Sequence, residues 1–284
     1  MRPEFATWEI ADRLRYRVHY IEKGIENGDN HIVLLHGFAG HSFTWRYLVD
    51  PLVKHGFHVW CFDFLGFGFS SKSPNVPYCP DLFMLQLLWF LKRFKIQQTV
   101  LIGHSMGASI SLKFAIHYPE YVKSLVLLAP VCYPLKVPLR WQILSKLSKA
   151  VELLYGKWLV KAVMSVDLYN PKSIDPGDVD SYDIAYRLPH SVQASVTTLK
   201  SFSNQEVECL SRFYCSLSMP ILLLWGEHDA TVPVDQGHRF VKDCLKATLQ
   251  IIPCAGHCSH EEKHEAALAH ITKFLQSCAS CSTK

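Results

Sequence analysis

A chain of 284 residues that is 49% hydrophobic and 19% charged has ample material for a core and is too apolar to stay disordered. Its length suits one large α/β domain with room for an inserted lobe. A net charge of +4 without a long Lys/Arg block gives no electrostatic case for nucleic acid.

Taken in chain order, residues 1–10 carry Arg2 and Glu4 and lack an apolar run of signal-peptide length. Strands are expected over 14–21 and 32–35, then a helix over 44–54 and a strand over 59–64. A helix over 81–94, with Asp81 after Pro80 as a plausible start, leads to a strand over 99–102. A helix over 106–117 and a strand over 124–128 follow. Several of these strands are continuous Val/Ile/Leu runs, as expected for parallel strands buried on both faces. The rhythm breaks over 131–206, where Pro134, Pro138, Pro171, Pro176 and Pro189 punctuate helical patterns without a clear strand. This segment is expected to be a helical lid inserted into a core formed by 1–130 and 207–284. Strands over 221–225 and 248–252 and helices over 234–244 and 259–278 complete the alternation. Strand–helix alternation of this kind predicts a mostly parallel, doubly wound α/β sheet, whose sites gather at the carboxyl ends of its strands.

No run of about 18 apolar residues predicts a transmembrane helix. The ten cysteines are scattered, several inside apolar segments, and read as reduced thiols in a cytoplasmic protein. Residues 139–154 form a basic amphipathic pattern, with Ile143, Leu144, Leu147, Ala150, Val151 and Leu154 on one face. The preferred reading is a lid helix packing that stripe over a cleft; peripheral contact with a membrane is the alternative.

Gly103-His104-Ser105-Met106-Gly107 matches G-x-S-x-G between a predicted strand and a predicted helix. That context suits a strained turn lifting the Ser105 hydroxyl into a cleft, with the Met106 amide at a helix start able to hold an oxyanion. With His36-Gly37-Phe38, the turn from Asp63 to Ser70, Gly226-Glu227-His228-Asp229 and Gly256-His257, the chain resembles the α/β-hydrolase superfamily over nearly its whole length. By that resemblance, 36–38 is an oxyanion loop with the Phe38 amide as second donor. Asp229, after a late strand, is the well-placed acid, since the preceding strand ends Leu128-Ala129-Pro130 without a carboxylate. His257, after the last strand, is the base. The order Ser105, Asp229, His257 is the one this fold uses.

The expected chemistry is hydrolysis of a carboxylic ester or related acyl bond in a small, partly apolar molecule, with no cofactor. Trp45, Trp141 and Trp158 are the candidate substrate contacts. Cleavage of C–C bonds in ring-fission products, of lipid esters or of thioesters, and non-catalytic ligand binding on the same fold, are the alternatives. Serine at the elbow speaks against epoxide or halide chemistry, which the resemblance ties to aspartate. His260-Glu261-Glu262-Lys263-His264 fits the zinc-peptidase pattern by letter, but the start of a last helix explains its acids as well. Cys278-Ala279-Ser280-Cys281 reads as an end of chain rather than a metal or redox pair.

Overall fold

The computed structural model describes residues 4–10, 14–135 and 157–281. Eight strands form one sheet in the order β1-β2-β4-β3-β5-β6-β7-β8. They are β1 (Glu4–Ile10), β2 (Leu14–Lys23), β3 (His31–Leu35), β4 (His58–Phe62), β5 (Thr99–His104), β6 (Val122–Leu128), β7 (Ile221–Gly226) and β8 (Ala247–Ile252). β1 and β2 pair antiparallel, β2 runs antiparallel to β4, and every other neighbouring pair is parallel. The expected α/β class therefore holds. The strand β1 is additional to the expected elements. It is written only in a two-residue alternation, Ala6 and Trp8 buried against exposed Phe5, Thr7 and Glu9.

Both faces of the central strands β3 to β7 are covered. Along β3, Val33 and Leu35 face one apolar cluster and Ile32 and Leu34 the other. The first face carries α2 (Pro80–Arg93), α3 (Met106–His117) and α8 (Asp235–Asp243), through residues such as Phe83, Phe90, Phe114 and Phe240. The second carries α1 (Val49–Lys54) and α10 (His264–Cys281), through Leu52, Ile271 and Leu275.

Two expected helices are divided. In place of one helix over 44–54, a 3₁₀ turn Ser42–Trp45 precedes α1. Pro51 then falls in the first turn of α1, where its missing N–H has no partner to lose. The helix expected over 259–278 is α9 (Ser259–Glu262) and α10, separated at Lys263, whose φ of −131° and ψ of 48° are not helical.

Between β6 and β7 lie four described helices: α4 (Lys157–Asp167), α5 (Pro176–Tyr186), α6 (Ser191–Ser201) and α7 (Asn204–Ser211). The amphipathic pattern at 139–154 lies outside the described residues. No helix among the described residues is long and apolar enough to cross a membrane.

Candidate active site

The sharp turn from β5 into α3 places Ser105 at φ 49° and ψ −112°. A residue with a side chain is rarely held there, and strain of this kind concentrates at functional sites. The turn is fixed from both sides: the Ser105 amide donates to the Leu128 carbonyl at 2.8 Å, and the Ser109 amide donates to the Ser105 carbonyl at 3.0 Å. The flanking glycines are steric necessities. A Cβ on Gly107 would stand 2.2 Å from the Leu35 carbonyl oxygen, and one on Gly103 would stand 2.6 Å from the Ala108 backbone. The G-x-S-x-G spacing thus records where α3 presses against β3 and folds back on β5.

Asp229 and His257 are brought together from the turns after β7 and β8. The His257 Nδ1–H donates to Asp229 Oδ2 at 2.8 Å, and both side chains are buried. The other carboxylate oxygen accepts the Thr231 and Val232 amides, each at 2.8 Å, so the acid is held at both oxygens. Burial opposes the charged form of His257, but the charge and hydrogen bond of Asp229, with the charge of Asp167, outweigh it and raise its pKa above the ordinary value. With Nδ1 engaged, Nε2 is the basic nitrogen left to the ring.

Ser105 and His257 both line one cavity of about 550 Å³. The Ser105 hydroxyl makes no hydrogen bond among the described residues, to His257 or to any other group. Such contacts are often long without substrate and tighten in the reacting complex.

Phe38 and Met106 line the same cavity. Met106 opens α3, so its N–H has no partner within the helix. The loop 36–38 lies hard against the elbow: a Cβ on Gly37 would come 2.7 Å from His104 Nδ1 and 3.3 Å from Ser105 Cβ.

A buried polar framework that sequence reasoning missed holds these loops. The His36 Nδ1–H donates to the Gly37 carbonyl at 2.8 Å, and its Nε2 accepts the Phe64 amide at 3.0 Å. Burial lowers its pKa to about 4, which keeps the ring neutral and suits this donor–acceptor pair. Asp63 accepts the Ser42 amide at 2.7 Å, the Phe69 amide at 2.8 Å and His19 Nδ1 at 2.9 Å. Burial favours the neutral acid, yet the His19 hydrogen bond and the nearby His41, His19 and His36 hold its pKa far below the carboxylate range. His104 donates from Nε2 to the His257 carbonyl at 3.1 Å and so props the loop that carries His257. His36, Asp63 and His104 all stand inside recognisable motifs; what the letters do not carry is their cross-linking.

The aromatic candidates fare differently. Trp45 is fully buried among Leu48, Leu52 and Ile102, with its ring 4.8 Å from that of His260, and it does not line the cavity. Trp158 is 64% exposed. Leu159, Val160, Val163, Met164 and Asp167 line the cavity at helical spacing, which leaves Trp158 on the other face of α4. The expectation that Trp45 and Trp158 contact substrate is therefore corrected; Trp141 lies outside the described residues. The apolar wall comes instead from aliphatic side chains, including Val192, Val196 and Leu199 of α6. One flank is polar: Arg46 pairs with Glu261 and, at 2.7 Å, with Asp178, while Tyr182 donates to Glu261 at 2.8 Å.

His260 and His264 do not converge as metal ligands. His260 donates to Thr44 Oγ1 at 2.7 Å beneath Trp45, while His264 stacks on Tyr47 at 4.3 Å. Among the described residues no group of three His, Cys, Asp or Glu could hold a metal ion.

A model of the alpha/beta hydrolase fold family matches residues 30–264. The chain is similar to the uncharacterized hydrolase YugF of Bacillus subtilis, 29% identical over 266 residues that span 92% of this chain and 94% of the relative. It is similar to a 2-hydroxy-6-oxononadienedioate/2-hydroxy-6-oxononatrienedioate hydrolase of Escherichia coli, 26% identical over 91% of each chain. The crystal structure of an alpha/beta hydrolase fold protein from Burkholderia ambifaria superposes with a TM-score of 0.81 at 20% identity, covering 94% of this chain and 99% of that one.

Proposed function

The chain belongs to the α/β-hydrolase fold family, and from that premise we propose that it is a serine hydrolase acting on a carboxylic ester, or a related acyl bond, of a partly apolar small molecule. The observation that carries the reading is the pairing of Asp229 with His257 Nδ1 at 2.8 Å beside a strained Ser105 on a shared cavity.

In the proposed reaction His257 Nε2 takes the Ser105 proton as Oγ attacks the substrate carbonyl carbon. Asp229 holds the ring and favours the imidazolium that forms. The carbonyl oxygen, now negative, is held by the Phe38 and Met106 amides, each worth about 3 kcal/mol of barrier in sites of this type. Collapse expels the alcohol, which receives the proton from His257, and leaves an acyl-serine. Water, deprotonated by His257, attacks that ester, and the acid departs with Ser105 restored. The segment 131–206, which holds α4 to α6 and the start of α7, acts as the lid, with 1–130 and 207–284 as the core. The lid's aliphatic side chains supply a wall for an apolar acyl or alcohol part.

A second reading, C–C bond hydrolysis, draws on the activity for which the Escherichia coli relative is named. Graded p-nitrophenyl esters separate the two. Ester turnover with fluorophosphonate labelling of Ser105 supports the first reading. Turnover of a vinylogous diketone alone supports the second. Folded protein that neither labels nor turns over either substrate would be a binding protein.

A further inference from the structure

The end of α4 touches the loops that carry Asp229 and His257 at three points. The Asp167 carbonyl accepts the His257 amide at 2.6 Å and the Cys258 amide at 3.4 Å. Its carboxylate Oδ1 accepts the Thr231 hydroxyl at 2.7 Å. Thr231 in turn donates its amide to the Asp229 carboxylate, so Asp167, Thr231, Asp229 and His257 form a closed circuit. Glycine at 256 permits the approach: a Cβ there would stand 2.4 Å from the Asp167 carbonyl oxygen and 2.7 Å from the Tyr169 nitrogen. The chain beyond α4 is fastened to the same loop. Glu262 accepts the Tyr169, Asn170 and Gly256 amides at 3.0, 2.7 and 2.9 Å, and the Tyr169 ring stacks on His228 at 4.5 Å.

We propose that Asp167 is a positioning residue that joins the helical segment to the acid–base pair, its backbone fixing the His257 loop and its carboxylate adding a second negative charge beside the imidazole. The proposal rests on the reading of His257 as base. Docking of α4 and the basicity of His257 then become one event: a segment lifted from the core takes a loop anchor and a charge away with it.

The groups facing His257 determine the sign of the effect. Asp229 and Asp167 favour the imidazolium. The His104 ring, centred 4.8 Å away, is buried and neutral, and so is His260, 4.5 Å beyond it. The Cys258 thiol is held protonated by burial and by the surrounding acids Asp167, Glu261, Asp229 and Glu262. Glu261 directs its charge to His260 and Arg46, and Glu262 to three backbone amides. Asp167 is thus the carboxylate besides Asp229 whose removal changes the field at the ring.

The test is an NMR titration of the His257 ring Hε1 in the Ser105→Ala background, with and without Asp167→Asn. The amide keeps an acceptor for Thr231 and removes only the charge. The midpoint is expected to fall on the order of 0.5 pH unit. In otherwise wild-type enzyme, the acid limb of kcat/KM moves down by the same amount, and plateau kcat drops roughly two- to threefold because a weaker base accepts the proton. Asp167→Glu restores the midpoint, and Thr231→Val, which leaves the carboxylate in place, keeps most of it. An unmoved midpoint in folded Asp167→Asn overturns the proposal and reduces Asp167 to a structural contact. The titration needs no turnover. Ester hydrolysis persisting in Ser105→Ala would overturn the serine-hydrolase reading, whereas the shift caused by Asp167→Asn would stand on its own.

Discussion

The carboxyl edge of the sheet and the helices between β6 and β7 solve different problems with different materials. At the edge, the turns are held by buried polar side chains cross-linked to backbone amides, as at His36, Asp63 and Asp229. In α4 and α6 the cavity wall is aliphatic, and on α4 no side chain is fully buried. Directional hydrogen bonds in a low-dielectric setting fix atoms within narrow limits, whereas aliphatic contact fixes volume. On the proposed reading, the edge would place a nucleophile and a base, and the helices would admit a shape. Asp167 is where the two meet.

If the edge carries the chemistry, Ser105→Ala removes about 10⁴- to 10⁶-fold of kcat for a p-nitrophenyl ester while the fold survives. Full activity in this variant would break the division outright. Asp229→Asn is expected to cost about 10³- to 10⁴-fold, because the amide no longer enforces the tautomer with Nε2 free. In wild type the acid limb of kcat/KM is expected above the ordinary histidine value of about 6.5, since Asp229 raises the His257 pKa against its burial.

Ser105, Asp229 and His257 are legible in the sequence because each sits in a short motif forced by local sterics. The elbow glycines lie where α3 presses on β3, and the order of strand ends gives Asp229 and His257 their places. Asp167 carries no such signal. Its role depends on a helix end meeting a loop far along the chain, and only the bare backbone at Gly256 hints at it. Trp45 misleads for a related reason: aromatic residues near a reactive loop look alike whether they face substrate or core. Its ring faces His260 of α9, from a 3₁₀ turn where a continuous helix is expected. The alternation in β1 is visible in principle, but it is weak beside the apolar runs of the central strands.

The framework also carries a pH signature. His36 and His260 have pKa values lowered to about 4 by burial, and His104 is lowered as well. The unfolded chain binds protons at these histidines near pH 6.5, and the folded one does not. Stability is therefore full above about 6.5 and falls as pH drops towards 4. Three such groups give a slope of about 4 kcal/mol per pH unit near pH 5. Asp63, with its pKa depressed, adds stability that is full above the unfolded carboxylate value near 4 and is lost only below it. Urea titrations at pH 7, 6 and 5 measure this; a flat profile would mean that the histidines at the edge are not held neutral. His36, His104 and His260 lie at the edge and none in α4–α7, so their share of the acid loss originates there.

The smallest effects belong to the helices, and they sharpen the contrast within a single element. Val163 lines the cavity and Trp158 does not, although both stand on α4. Val163→Trp fills apolar volume, so kcat/KM for long-chain p-nitrophenyl esters should fall about tenfold relative to acetate, roughly 1.4 kcal/mol of lost binding. Trp158→Ala should change neither the chain-length profile nor, by more than about 0.5 kcal/mol, the stability in urea, because a side chain 64% exposed has little burial to lose. The pair separates the faces of one helix with two hydrolysis assays. If Trp158→Ala altered chain-length selectivity as strongly as Val163→Trp, the outer face of α4 would have to reach the substrate. The helix would then rotate during turnover, and a fixed volume could no longer describe how this region chooses what it admits.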